Sequence, residues 1–251
     1  MRLTTKICCA ALCLVAIAAP IALAAKSSRK PGKLASVKVT RCKHLLGERT
    51  AAFYGRMRRV PGTERMWMRF TLQERVGDTG FKTIPSPELG VWRKSRPNVR
   101  RFGYRQQVAD LAAGGAYRVK VRYRWYDAEG TVIKRARRRS RACKQAGRLP
   151  NLRIGRVRAR PRTGGVNYFV QVVNRGKGAA APFGVSVKVD DVQLPNQTVE
   201  GLAAGESRTL RFSGSACQSG VDAKADATDA VRETSELDNR ATPSCSKLQG
   251  R

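Results

Sequence analysis

The 251-residue chain has one histidine, His44. Any Ser-His-Asp site would have to be built on it, and no Gly-x-Ser-x-Gly turn accompanies it. There is no Cys-x-x-Cys, so a structural zinc site lacks its usual ligand spacing. Carboxylates are scarce, 18 Asp+Glu against 50 Lys+Arg. Before residue 151 the acids are scattered singly, with only Asp127 and Glu129 close together, which gives no paired acid and base for glycoside hydrolysis. No stretch after Leu23 is long and apolar enough to cross a bilayer, and no segment after it carries the 3.6-residue period of an amphipathic helix. These absences speak against an enzyme and leave no cofactor and no metal to assign.

What is present begins with a leader. Residues 1–24 read as a signal peptide: Arg2 and Lys6 precede the apolar run Ile7–Leu23, and Ala22-Leu23-Ala24 fits the small-x-small cleavage rule. The alternative is an uncleaved anchor. The leader places the chain in the secreted or cell-envelope class, where disulfides persist. Three of the seven cysteines, Cys8, Cys9 and Cys13, lie in it. Cys42, Cys143, Cys217 and Cys245 remain, and four cysteines allow three pairings. One bridge in each half, Cys42 with Cys143 and Cys217 with Cys245, is the simplest.

The charge is divided unevenly. Residues 26–150 hold 33 Lys+Arg against 8 Asp+Glu, and residues 151–251 hold 15 against 10. Residues 25–34 read as a basic tail, 35–144 as a basic β-sandwich domain, 145–150 as a linker and 151–246 as a second β domain. The signal for β structure is period-two alternation. Met66, Met68, Phe70 and Leu72 alternate with polar residues. Tyr117, Val119, Val121, Tyr123 and Trp125 alternate with Arg118, Lys120, Arg122 and Arg124. Asp127–Gly130 reads as a turn, and Thr131–Cys143 as the returning strand. Short strands with Gly and Pro turns predict an all-β protein with two tandem sandwiches.

The returning strand carries Lys134, Arg135, Arg137, Arg138, Arg139 and Arg141. Beside Arg118, Lys120, Arg122 and Arg124 these form one candidate polyanion-binding patch, with Trp67, Trp92 and Tyr104 available to interleave. Such a patch binds through counterion release and weakens steeply with salt. With the leader present, the expected partner is an anionic cell-surface polymer or an acidic protein rather than nucleic acid. In the second domain, Asp222, Asp226, Asp229, Glu233, Glu236 and Asp238 cluster without the Asp-x-Asp-x-Asp-Gly loop of a calcium site. They read as a solvated turn.

Two family resemblances follow from particular segments. Leu111–Val121, with its Gly-rich turn before Tyr117, is weakly similar to the late strands of fibronectin type III and related immunoglobulin-like domains. Pro150–Ile154, Val166–Gly176 with its Asn-x-Gly turn, Val185–Asp191, Val199–Ser207 with Gly-Leu-x-x-Gly, and Val231–Asn239 occur in the order of a CARDB domain, the cell-adhesion-related domain found in bacteria. Asp238-Asn239 stands where the family pattern has paired asparagines, and Cys217 and Cys245 are additions to it. The resemblance implies a seven-strand immunoglobulin-like sandwich acting as an extracellular spacer or protein-binding module. The combined expectation is a secreted, non-catalytic envelope or adhesion-type binding protein. The alternative is an accessory interaction module of a secreted enzyme or complex.

Overall fold

Alternating hydrophobicity along the chain becomes seventeen short strands and one helical turn in the computed structural model, which describes residues 33–45 and 48–248. The leader and all but the end of the basic tail lie outside the described residues. In the first half the strands are β1 (Ala35–Leu45), β2 (Glu48–Arg58), β3 (Arg65–Val76), β4 (Lys82–Thr83), β5 (Trp92–Lys94), β6 (Arg101–Val108), β7 (Gly115–Tyr126), β8 (Val132–Arg139) and β9 (Cys143–Lys144). In the second they are β10 (Leu152–Arg162), β11 (Gly165–Asn174), β12 (Phe183–Val189), β13 (Val192–Gln193), β14 (Gln197–Val199), β15 (Ser207–Gly214), β16 (Val221–Ala225) and β17 (Arg240–Ala241), followed by α1 (Cys245–Leu248). The chain is all-β, as its periodicity predicts.

Two antiparallel sheets face each other in each half. In the first, β1-β2-β6 opposes β4-β3-β7-β8, with β5 and β9 pairing onto β3 and β7. In the second, β10-β11-β15 opposes β13-β12-β16-β17, with β14 on β12. Each half has its own apolar core. The first is built on Phe53, Met68, Phe70, Tyr123 and Trp125. The second is built on Tyr168, Val170, Val172, Val185 and Val187.

The buried aromatics also solve a polar problem. A ring that carries a donor can go to the interior only if that donor finds an acceptor. From β7, Trp125 Nε1 donates to Arg58 O at 2.7 Å and Tyr123 Oη donates to Ser36 O at 2.7 Å, so one strand ties its sheet to β2 and β1 opposite. Tyr168 Oη donates to Ser215 O at 2.6 Å. The Asp127–Gly130 turn closes the β7–β8 hairpin: Gly130 takes φ 81°, and the Thr131 amide donates to Asp127 Oδ1 at 2.6 Å.

Cys42 bonds Cys143, linking β1 to β9 on the facing sheet, and Cys217 bonds Cys245. The first bridge closes a sequence separation of 101 residues. By loop-closure entropy a loop of this size is worth about 4–5 kcal/mol. His44 therefore has no free thiol beside it at Cys42.

From Leu34 onward the chain forms one compact unit. Residues 145–150 contribute to that. The Gln145 amide donates to Gly115 O at 2.8 Å, and the Lys177 and Gly178 amides both donate to Leu149 O, at 2.9 and 3.0 Å. The Thr234 amide donates to Pro150 O at 2.9 Å. The segment between the two cores is thus hydrogen-bonded to both.

Candidate polyanion-binding face

Because β3, β7 and β8 pair directly, residues opposite one another point to the same side. The inner side of β7 is buried, so its Arg118, Lys120, Arg122 and Arg124 face outward. The register then builds rows across the sheet. Arg139 stands opposite Lys120, which stands opposite Thr71. Arg137, Arg122, Arg69 and Trp92 form the next row, and Arg135, Arg124, Trp67 and Lys94 the one after. No row contains a carboxylate. Among the described residues, none of these cations makes an ion pair.

The aromatics seat the cations instead of lying between them. The Arg124 guanidinium lies 4.5 Å from the Trp92 ring centre, and Lys94 Nζ lies 4.4 Å from that of Trp67. Arg118 stacks on Phe81 at 3.7 Å and donates to Gln73 Oε1 at 3.0 Å. Cation–π seating restricts these long side chains while leaving their positive charge unneutralised. Burial, then the neighbouring Arg139 and Arg75 cations, push the Arg118 pKa down.

The structure brings together seven of the ten predicted patch residues: Arg118, Lys120, Arg122, Arg124, Arg135, Arg137 and Arg139. Lys134 and Arg138 stand opposite Trp125 and Val121, so they leave β8 on its other side. There Arg138 Nε donates to Ala35 O at 3.2 Å. Arg141 lies beyond the end of β8. Tyr104 belongs to β6 in the opposite sheet, under Arg93. The sequence reading missed the part played by Arg69, whose place in the middle row depends on β3 pairing with both β7 and β5.

The acidic segment of the second half does different work. Asp226, Glu233 and Asn239 are at most 2% exposed. Asp226 accepts the Ala230 and Val231 amides at 3.1 and 2.8 Å, which fixes a turn in which Asp226 takes φ 47°. Glu233 Oε2 accepts the Leu152 amide at 2.5 Å, and Glu233 Oε1 accepts Asn239 Nδ2 at 2.7 Å. Asn239 Nδ2 also reaches Glu236 Oε2 at 3.0 Å. The expected solvated turn is therefore a buried clasp that locks β10 to the segment between β16 and β17. Burial, opposed by these hydrogen bonds and reinforced by the Glu236 and Asp226 charges, raises the Glu233 pKa to about 7.

One carboxylate oxygen from each of Asp226, Glu233 and Glu236 lies within 4.8 Å of the others, close enough to hold a cation. The backbone and Asn239 already occupy oxygens of all three. Asp190, Cys217 and Cys245 also bring one ligand atom each within 4.8 Å of one another, but those sulfurs are bonded to each other. Asp190 instead accepts the amides of Gln218, Ser219 and Gly220 at 2.7, 2.7 and 3.0 Å, which hold its carboxyl below the usual range.

Asn174 explains the Asn-x-Gly turn of the second half. Its Oδ1 accepts the Asn151 and Gly176 amides, both at 3.0 Å, and its Nδ2 donates to Gly178 O and Leu202 O at 2.8 and 2.9 Å. A Cβ on Gly176 would sit 2.3 Å from the Pro150 carbonyl carbon.

Residues 157–243 match the CARDB family. The match begins after the opening segment Pro150–Ile154. No curated protein matches the chain. Among solved structures, the chain is similar to the CARDB domain of a Pyrococcus furiosus protein in complex with di-metal ions, with 24% identity and a TM-score of 0.34, covering 39% of this chain and 93% of that one. A domain of a Methanosarcina acetivorans chain described as a cell surface protein aligns at 23% identity and a TM-score of 0.35, over 38% of this chain and 90% of that one. The class 5 fimbriae chaperone CfaA aligns at 10% identity and a TM-score of 0.25, over 83% and 98% of the two chains.

Proposed function

We propose that this is a secreted, non-catalytic binding protein of the cell envelope, with a CARDB module at residues 157–243 acting as spacer or protein-binding unit and the outer face of β3-β7-β8 holding an anionic surface polymer. The observation that carries the reading is that face: seven predicted cations, joined by Arg69 and Lys94, in register and without a carboxylate partner. A compact domain that leaves so many like charges together lowers its energy when an external polyanion neutralises them. Releasing the polymer's condensed counterions adds to that gain. Arginine suits the task because its planar fork meets carboxylate or phosphate through two hydrogen bonds. The two disulfides and the leader support a compartment outside the cytoplasm.

The test is binding of the full mature chain to teichoic acid, a polyuronate and DNA across a salt series, against the variant Arg122→Gln/Arg124→Gln/Arg137→Gln. The reading expects retention at about 150 mM salt, where exposed charges are heavily screened. It also expects the slope of log affinity on log salt to become shallower by roughly the number of contacts removed. Equal binding by the variant, or loss of all binding by physiological salt, overturns it.

A further inference from the structure

A second basic face lies on the half whose overall charge is nearly balanced. On β10-β11-β15, Tyr168, Val170 and Val172 turn inward, so Asn167, Phe169 and Gln171 face out. The register sets Arg156 beside Gln171 and Thr209, Arg158 beside Phe169 and Arg211, and Arg160 beside Asn167 and Ser213. These rows hold four arginines and no carboxylate; the acids of this half are mostly in the clasp and the loops. The bulge at Gly155 resets the strand so that Arg156 enters the series. Arginines at alternate positions stand about 7 Å apart. Arg156, Arg158, Arg160, Phe169, Gln171 and Thr209 line a depression of about 230 Å³. A second depression, of about 530 Å³, adjoins it through Arg156 and Gln171 and runs towards Arg153 and Arg175.

Its chemistry differs from that of the β3-β7-β8 face, whose rows are mainly cations with tryptophan. The three rows there hold eight cations and three neutral side chains, whereas the three rows here hold four arginines and five neutral side chains. The geometry points to this trough as a binding site for a linear acidic polysaccharide. The arginines meet the carboxylates bidentately. Ser213 Oγ donates to Asn167 Oδ1 at 2.9 Å and Gln171 Nε2 to Ser207 Oγ at 3.4 Å, which leaves Asn167 Nδ2, Gln171 Oε1 and the Thr209 hydroxyl to serve ring hydroxyls. Phe169 stands between Arg158 and Arg211, with the Arg160 guanidinium 5.6 Å from its ring centre, and gives a sugar ring an apolar floor once Arg160 turns to a carboxylate. A polyphosphate would accept from the arginines and from the amide and hydroxyl donors, but it has no hydroxyl to give the acceptors and no apolar ring face to set on Phe169. The site does not rest on the first-half face, and each can fail without the other.

The experiment titrates the full mature chain carrying Arg122→Gln/Arg124→Gln/Arg137→Gln, so that the first-half face contributes little, with a defined-length oligogalacturonate, and separately with inorganic polyphosphate of equal charge, at physiological salt. In that parent chain, adding Arg156→Gln/Arg158→Gln/Arg160→Gln should weaken oligogalacturonate binding roughly tenfold, given the loss of several charge-assisted contacts. The charge-preserving pair Phe169→Ala/Gln171→Ala should lose several-fold for oligogalacturonate and much less for polyphosphate, which loses only the Gln171 donor. Both sets of side chains lie on the outer face, and unchanged thermal unfolding confirms that the core is intact. The inference is overturned by a parent chain that does not bind oligogalacturonate, by equal binding of the triple trough variant, or by a charge-preserving pair that loses both ligands alike or neither.

Discussion

Glu233 is a buried acid whose charge depends on ordinary pH. Its pKa moves from 4.5 to about 7, first because burial penalises the ion. The folded protein thus holds this proton to higher pH than the unfolded chain does. The stability it contributes is full below about pH 4.5 and is lost as the pH rises to about 7. Glu233→Gln keeps an acceptor for the Leu152 amide and cannot ionise. Asn239 Oδ1, buried and without a partner among the described residues, can accept from the new amide once the Asn239 side chain turns over, at the loss of its bond to Glu236. We expect Glu233→Gln to gain on the wild type by about 2–3 kcal/mol between pH 5 and pH 8, as a 2.5-unit shift implies. Denaturant midpoints at both pH values check this, and parallel curves would remove Glu233 as the titrating group. The residue's presence in an acidic segment was legible from the sequence. Its burial was not, because the Leu152 amide that it receives is 81 residues away.

At the scale of elements, the β7–β8 hairpin sets like charges directly opposite one another, and such pairs destabilise a sheet. Arg122 faces Arg137 on one side and Arg69 on the other. Neutralising one strand of the row should relieve repulsion. Arg137→Gln is expected to raise the unfolding midpoint by about 2–4 °C at low salt, the shift that roughly 1 kcal/mol produces in a chain of this size. The gain should shrink towards zero near 1 M salt, where screening acts within about 3 Å. A gain independent of salt, or a loss, would mean that the row is not under electrostatic strain. The alternation along Tyr117–Trp125 made the β7 ladder legible. That same two-residue period divides the run 134–141, sending Lys134 and Arg138 to the other side; a count of cations in sequence does not separate them.

For the whole molecule, the contacts between the two cores are few and specific. Arg232 pairs with Glu74 at 2.8 Å and donates to Ala113 O at 3.3 Å. Tyr117 Oη donates to the same Glu74 carboxylate, and burial with that charge raises its pKa to about 12. The Asp78 amide donates to Thr234 O at 3.1 Å, and Ser235 Oγ to Asp78 Oδ2 at 2.6 Å. Gly77 takes φ 52°, and a Cβ there would lie 2.2 Å from Thr234 O. Gly77→Ala combines backbone strain with a clash against main chain, so it should part the two halves without touching either core. Calorimetry should show one unfolding transition for the wild type and two for Gly77→Ala/Arg232→Ala. A single transition at an unchanged midpoint would show that the halves are held by other contacts.

The sequence by itself determined the all-β class, because alternation with a period of two is a local property of each strand. It also determined the four cysteines that pair and the concentration of charge in the first half, since counts and positions need no fold. The resemblance at residues 150–243 was carried by turn residues whose demands are local too, such as Asn174 with its Gly176. Tertiary structure decided the rest. Which cations share a face depends on strand register, and register is set by pairings across tens of residues and shifted by bulges such as that at Gly155. The trough on β10-β11-β15 had a local signal in the alternating Arg156, Arg158 and Arg160. Its neutral partners come from two other strands and meet the arginines only after folding. Burial of Glu233 and closure of the seam at Gly77 likewise follow from contacts between segments far apart in the chain, which no local pattern encodes.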